Sequence, residues 1–205
     1  MDEPAEIEES REETMLLGVP LPEAMGLVGW GTLVIAIYTA LTVGTGGYNE
    51  ESVGTVTRWT GRISMLVFLL AYLRPWFATR PAESSAGWAV RNYRYLMLLL
   101  GASHTIHLGL IITLVVEFAL DVDIVDIAAG GLGYLLMYVL VVLAATGRLA
   151  DEGGREAWVE SISTHYVWGV FVFTQTSTIA AKPETALFAL AGFAAAYYRY
   201  QALRR

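Results

Sequence analysis

The chain has no cysteine and only three histidines in 205 residues. The missing cysteine excludes disulfides, thiolate-held iron–sulfur clusters, covalent c-type haem attachment and cysteine-ligated zinc. Any metal or cofactor must be held by histidine, by carboxylates or by non-covalent packing. Charge is thin as well, at 16% of residues against 55% hydrophobic. A soluble domain carries roughly 25% charged residues, so this composition belongs to an integral membrane protein with the lipid bilayer as its main partner. Also absent are a GxGxxG turn opening a helix, a P-loop and a Gly-x-Ser-x-Gly elbow. No internal repeat is evident, and no segment between apolar runs is long enough for a folded soluble domain. A formal net charge of −7 gives no support to nucleic-acid binding.

The charge that is present is unevenly spread. Asp2, Glu3, Glu6, Glu8, Glu9, Glu12 and Glu13 crowd the first fourteen residues, against a single Arg11. Such a segment cannot bury apolar surface and reads as an acidic, disordered tail, taken here as 1–25. Its acidic start also argues against a cleaved signal peptide, which begins positive and turns apolar at once.

Beyond the tail lie six apolar stretches, each near the roughly 20 residues a bilayer-crossing helix needs. They cover 26–49, 56–76, 95–116, 127–147 and 161–181, and the sixth follows Lys182-Pro183-Glu184 and reaches Tyr198. Arg62 and Arg74 sit toward the two ends of the second, where an arginine can snorkel to the interface. Tyr197, Tyr198 and Tyr200 form an aromatic belt at the end of the sixth. Six crossings put both termini on one side, and that side collects ten of the thirteen basic residues. The other side holds Arg58, Arg62 and Lys182 together with an acidic loop, Glu117, Asp121, Asp123 and Asp126. The positive-inside rule then places both termini in the cytoplasm. The expected architecture is all-α: an integral membrane six-helix bundle over 26–200, with 201–205 as a basic cytoplasmic C-terminus. The expected location is the bacterial inner membrane.

Two of the three histidines, His104 and His107, lie deep in the third span. An ionisable side chain at that depth is costly and marks a functional site by default. Three residues apart on a helix, they share one face. A neutral imidazole there suits a buried metal, haem iron above all; a hydrogen-bonded pair gluing neighbouring helices is the competing use. Gly101, one turn before His104, leaves a notch for a porphyrin plane or for a packed helix. His165, near the start of the fifth span, is the third axial candidate. At 1.5 Å per residue, His104 lies about 14 Å deep, His107 about 18 Å and His165 about 6 Å. A clamp of His104 with His165 across one iron is therefore mismatched by about 8 Å before tilt.

Several of these residues together resemble the ferric reductase-like transmembrane domain. Thr60-Gly61-Arg62 opens the second span and Arg74-Pro75 closes it; Arg91-Asn92-Tyr93-Arg94-Tyr95-Leu96 leads into Ser103-His104-Thr105-Ile106-His107-Leu108. Gly130-Gly131-Leu132-Gly133-Tyr134 and Tyr166-Val167-Trp168 with Phe171 extend the similarity over spans two to five. The superfamily includes ferric reductases, NADPH oxidases and the haem-binding membrane subunit of the methionine sulfoxide reductase system. The resemblance implies a six-helix bundle with b-type haem between spans three and five, passing electrons across the membrane. His104 and His107 both fall where the family's span-three histidine is expected, and Arg62, Arg91 or Arg94 could pair with the haem propionates, with positive-inside topology the preferred use of Arg91 and Arg94. Span five departs from the pattern: Glu160 or Ile162 stands where its histidine is expected, and His165 falls three to five residues late. The implied protein holds one haem b, with His104, His107 and His165 as axial candidates and Arg62 and Gly101 lining the site. It depends on a separate electron-donor protein or a quinone, because no flavin or nicotinamide motif is present. A haem-free membrane scaffold that kept the fold is the alternative.

Overall fold

The computed structural model of the chain describes residues 15–16, 19–148 and 155–204, with side chains from residue 26 onward. Most of the acidic tail, residues 1–14 and 17–18, therefore lies outside the described residues. Two two-residue strands, β1 (Met15–Leu16) and β2 (Val19–Pro20), pair antiparallel ahead of the first helix. Among the described residues after them, the chain is helix joined by turns and short loops. Helix α1 (Leu21–Gly46) begins five residues before the expected 26, with Pro22 in its first turn, where no backbone N–H is missed. It ends at Gly47, whose φ of +80° is a glycine C-cap conformation.

Local chemistry sets most of the other helix ends. Helix α2 (Glu50–Tyr72) is capped by the Asn49 side chain, which accepts the Ser52 N–H at 2.9 Å, and Glu50 and Glu51 complement the positive end of its dipole. Pro75 cannot continue α2, having no N–H to give and a ring that clashes with the preceding turn. The expected second span, 56–76, accordingly breaks at Leu73 into a short α3 (Arg74–Phe77). Helix α4 (Ser85–Arg91) is capped by Ser84, α5 runs Tyr93–Glu117, and α6 (Ile124–Ala145) is capped by Asp123. Helix α7 spans Arg155–Ser177, six residues earlier at its start than the apolar run, and α8 spans Thr185–Leu203.

Six of these helices are long, and their contacts alternate in direction. Thr60 meets His107 and Ser64 meets Ser103, so α2 and α5 are antiparallel. Gly101 meets Val141 and Thr105 meets Tyr138, so α5 and α6 are antiparallel as well. Phe68 against Phe171 and Tyr72 against His165 make α7 antiparallel to α2. Arg62 with Glu184 and Tyr72 with Arg199 make α8 parallel to α2. The end of the bundle carrying the start of α2 and the start of α8 is termed distal, and the end carrying Arg74, Tyr93 and Arg204 proximal.

Among the described residues three helices, against the six spans expected, are long and apolar enough to cross a membrane: Gly26–Gly46, Tyr93–Glu117 and Ile124–Ala145. Their large apolar side chains face outward, as Trp30 (69% exposed), Val116 (69%) and Leu135 (61%) do. The interior, by contrast, holds Thr57, Thr60, Ser64, Ser103, Ser163, Thr164 and Gln175 among its buried residues. Apolar outside and partly polar inside is the arrangement a lipid environment favours, because hydrocarbon cannot satisfy a hydroxyl.

Candidate functional site

The interface of α2 with α5 is a polar seam. Ser64 and Ser103, both fully buried, share a hydroxyl–hydroxyl hydrogen bond of 2.9 Å. One turn further toward the distal end, Thr60 Oγ1 lies 3.1 Å from His107 Nδ1. The Thr60 hydroxyl also donates to the Thr57 carbonyl at 3.0 Å. A hydroxyl has one proton, so its lone pairs face the imidazole and Nδ1 carries the ring proton, a tautomer assigned from the network. The ring lies close to the α2 backbone at Gly61, where a Cβ would stand 3.0 Å from His107 Cε1. Gly61, part of the Thr60-Gly61-Arg62 motif, serves the close approach of the His107 ring to α2. His107 thus forms the interhelical hydrogen bond expected of a helix-gluing histidine.

His104 is in a different position. Its ring rests on Tyr134 with centroids 4.6 Å apart, meets the Phe171 ring edge-on at 5.4 Å, and lies 5.0 Å from the His107 ring. Its Nδ1 is buried with no hydrogen-bond partner among the described residues. The Tyr134 hydroxyl and Gln175 Oε1 are buried and unpartnered in the same way. A buried polar atom without a partner costs about 1–3 kcal/mol. Three of them, from α5, α6 and α7, surround one cavity.

That cavity has a volume of about 310 Å³ and lies between α2, α5, α6, α7 and the start of α8. His104, His107 and Tyr134 lie deep within it, Met137, Val167 and Phe171 supply apolar wall, and Arg58, Arg62 and Lys182 stand toward the distal end. Arg62 is buried at 5% exposure beneath Trp59 and Phe188 and pairs with Glu184 at 3.0 Å. The hydrogen bond from Arg62 holds the exposed Glu184 carboxyl below the usual carboxylate range.

The structure brings together His104, His107 and Arg62, and leaves the other two expected site residues elsewhere. Gly101 abuts α6, where a Cβ would come within 2.8 Å of Val141 Cγ2, so its role is helix packing. His165 is exposed, its Nδ1 is 2.7 Å from the Ser161 carbonyl oxygen, and its ring meets Tyr72 edge-on at 5.8 Å. The His104 level on α2 is marked by Ser64 and the His165 level by Tyr72, about 12 Å apart at 1.5 Å per residue. The two do not face each other across a common point. Arg91 and Arg94 hydrogen-bond the Ala82 and Ala145 carbonyls at the proximal end, away from the cavity. Glu160, at the expected span-five histidine position, accepts from the Tyr93 hydroxyl at 2.8 Å and pairs with Arg74 at 3.8 Å.

For a haem, these residues fit ligation from one side. His104 has an orphaned nitrogen, buried under neighbouring rings, while His107 shares its helix face and is tied to Thr60. A pocket of about 310 Å³ is at the small end of the ~300–1,000 Å³ range for cofactor sites. A macrocycle would have to displace the Tyr134 and Phe171 rings that now cover His104. No family model matches the chain, and neither a curated protein nor a solved structure matches it, so the chemistry of the site rests on its own atoms.

Proposed function

We propose that this chain is a six-span protein of a bacterial inner membrane, with both termini cytoplasmic, that holds one haem b in the His104 cavity and relays electrons. The observation that carries the reading is the cavity itself. A pocket inside the helix bundle is lined by a histidine, a tyrosine and a glutamine, each with a buried polar atom that has no partner among the described residues. Such groups persist where something other than the protein satisfies them. Bound haem would supply one-electron chemistry at its iron. His104 is the residue to ligate it, once the Tyr134 and Phe171 rings that cover it move aside. Met137 and Val167 keep water from the cavity floor, and a dry surround is one of the levers on a redox potential. Electrons would come from a separate donor protein or from a quinone.

A haem-free membrane scaffold is the second reading, favoured by the use of His107 as a helix-gluing group and by the distance of His165 from the cavity. A reduced-minus-oxidised visible spectrum separates the two. The protein, expressed with haem supplied and purified in detergent, is expected to show a b-type signal that His104→Phe abolishes and His165→Ala leaves intact. A folded but colourless protein would overturn the haem reading.

A further inference from the structure

The distal end of the bundle is acidic: Glu50, Glu51, Glu117, Asp121, Asp123 and Asp126 all lie there. Its three basic residues, Arg58, Arg62 and Lys182, all line the one cavity. They come from two different parts of the chain, α2 and the turn before α8, so chain proximity alone does not explain the convergence. Arg62 is already matched by Glu184. The Arg58 guanidinium has the Thr55 hydroxyl as its one side-chain partner among the described residues, at 2.9 Å, and the Lys182 ammonium, whose main chain bonds Thr178 and Thr185, makes no hydrogen bond or ion pair among them. The charge of Lys182 is felt by Glu184. Three cations against one carboxylate leave the mouth positive in a surround that is otherwise negative.

We infer that Arg58 and Lys182 receive the carboxylate of an amphipathic acid whose apolar body occupies the cavity. The walls suit such a ligand, being apolar at Ile111, Met137, Val167 and Phe171, with both cations at the same end. A guanidinium and an ammonium with spare donors, set on separate segments at one end of the cavity, recognise a carboxylate by charge-assisted hydrogen bonds. The acid group then faces the distal end, so the ligand enters from there. For haem, this deepens the reading proposed above, because the propionates would meet Arg58 and Lys182 and not Arg62, Arg91 or Arg94. A long-chain fatty acid is the other source of the same chemistry.

The test uses the full chain in detergent, titrated with haemin, with haemin dimethyl ester and with the fluorescent fatty acid cis-parinaric acid. Wild type and the double variant Arg58→Gln/Lys182→Gln are compared. Haemin is expected to bind wild type about tenfold more tightly than its ester, a difference of about 1.4 kcal/mol. The double variant is expected to lose that preference while binding the ester unchanged. Equal binding of acid and ester to wild type would overturn the inference and leave the haem reading standing. Binding of cis-parinaric acid alone, weakened in the double variant, would overturn the haem reading and support the inference. Failure of all three ligands to bind would overturn both.

Discussion

At the residue scale, His104 and His107 show how one turn of helix separates two fates. Both are on the same face of α5, yet only His107 meets a hydroxyl, because Thr60 is one turn from Ser64 on the facing helix and Ser64 already meets Ser103. The histidines and their shared face were readable from sequence. Their division of labour was not, since it depends on Thr60, 47 residues away. The consequence is a pair of opposite substitutions. Thr60→Val takes the hydroxyl away from His107, which keeps the Thr57 backbone carbonyl as a partner, and is expected to cost about 0.6–1.7 kcal/mol, from the mean to the upper end for a membrane hydrogen bond. His104→Phe replaces an already unpartnered nitrogen with apolar ring in an apolar surround, and is expected to be neutral or stabilising. Reversible unfolding in mixed micelles measures both. A His104→Phe cost equal to that of Thr60→Val would mean that His104 has a partner in the folded protein.

At the element scale, the helices that sequence located best are those whose apolar character runs their full length. Helices α1, α5 and α6 depart from their expected limits by five residues at most at either end. The apolar run begins six residues inside α7, because Arg155, Glu156 and Glu160 lower the hydropathy of its first turns. Hydropathy reports where a helix is apolar, whereas the backbone stays helical through Glu160, which reaches Tyr93 and Arg74. The end of α5 carries a different local signal. Ala119 sits at φ +51°, beyond the C-cap Phe118, and the Leu120 N–H reaches back to the Leu114 carbonyl at 3.1 Å. This left-handed helix-ending position is one where glycine avoids the Cβ penalty. Ala119→Gly is therefore expected to stabilise the chain by up to about 1 kcal/mol, net of the extra flexibility glycine gives the unfolded state. A lower midpoint for Ala119→Gly in the same unfolding assay would show that this turn is held by something other than backbone conformation.

At the scale of the whole molecule, the alternation of six long helices sorts charge between two ends. The basic residues Arg74, Arg80, Arg91, Arg94, Arg199 and Arg204 lie proximally, while Arg58, Arg62 and Lys182 gather distally around a single cavity. The sequence already carried that asymmetry, because charge and span count are both local properties. The convergence of the distal cations was not legible, since it requires knowing that the start of α2 and the start of α8 share an end of the bundle. The asymmetry makes an orientation testable, and the absence of cysteine makes the test clean, because a single introduced thiol is the only one present. Glu51→Cys and Asp121→Cys put that thiol at exposed distal positions, Glu83→Cys and Arg204→Cys at exposed proximal ones. With the termini cytoplasmic, a membrane-impermeant maleimide added to intact cells is expected to label the first pair and spare the second until the cells are permeabilised. The reverse pattern would turn the cavity mouth toward the cytoplasm, so that its acidic ligand would have to arrive from inside the cell. Labelling of one proximal and one distal site together would break the alternation itself, and with it the shared end on which Arg58 and Lys182 meet.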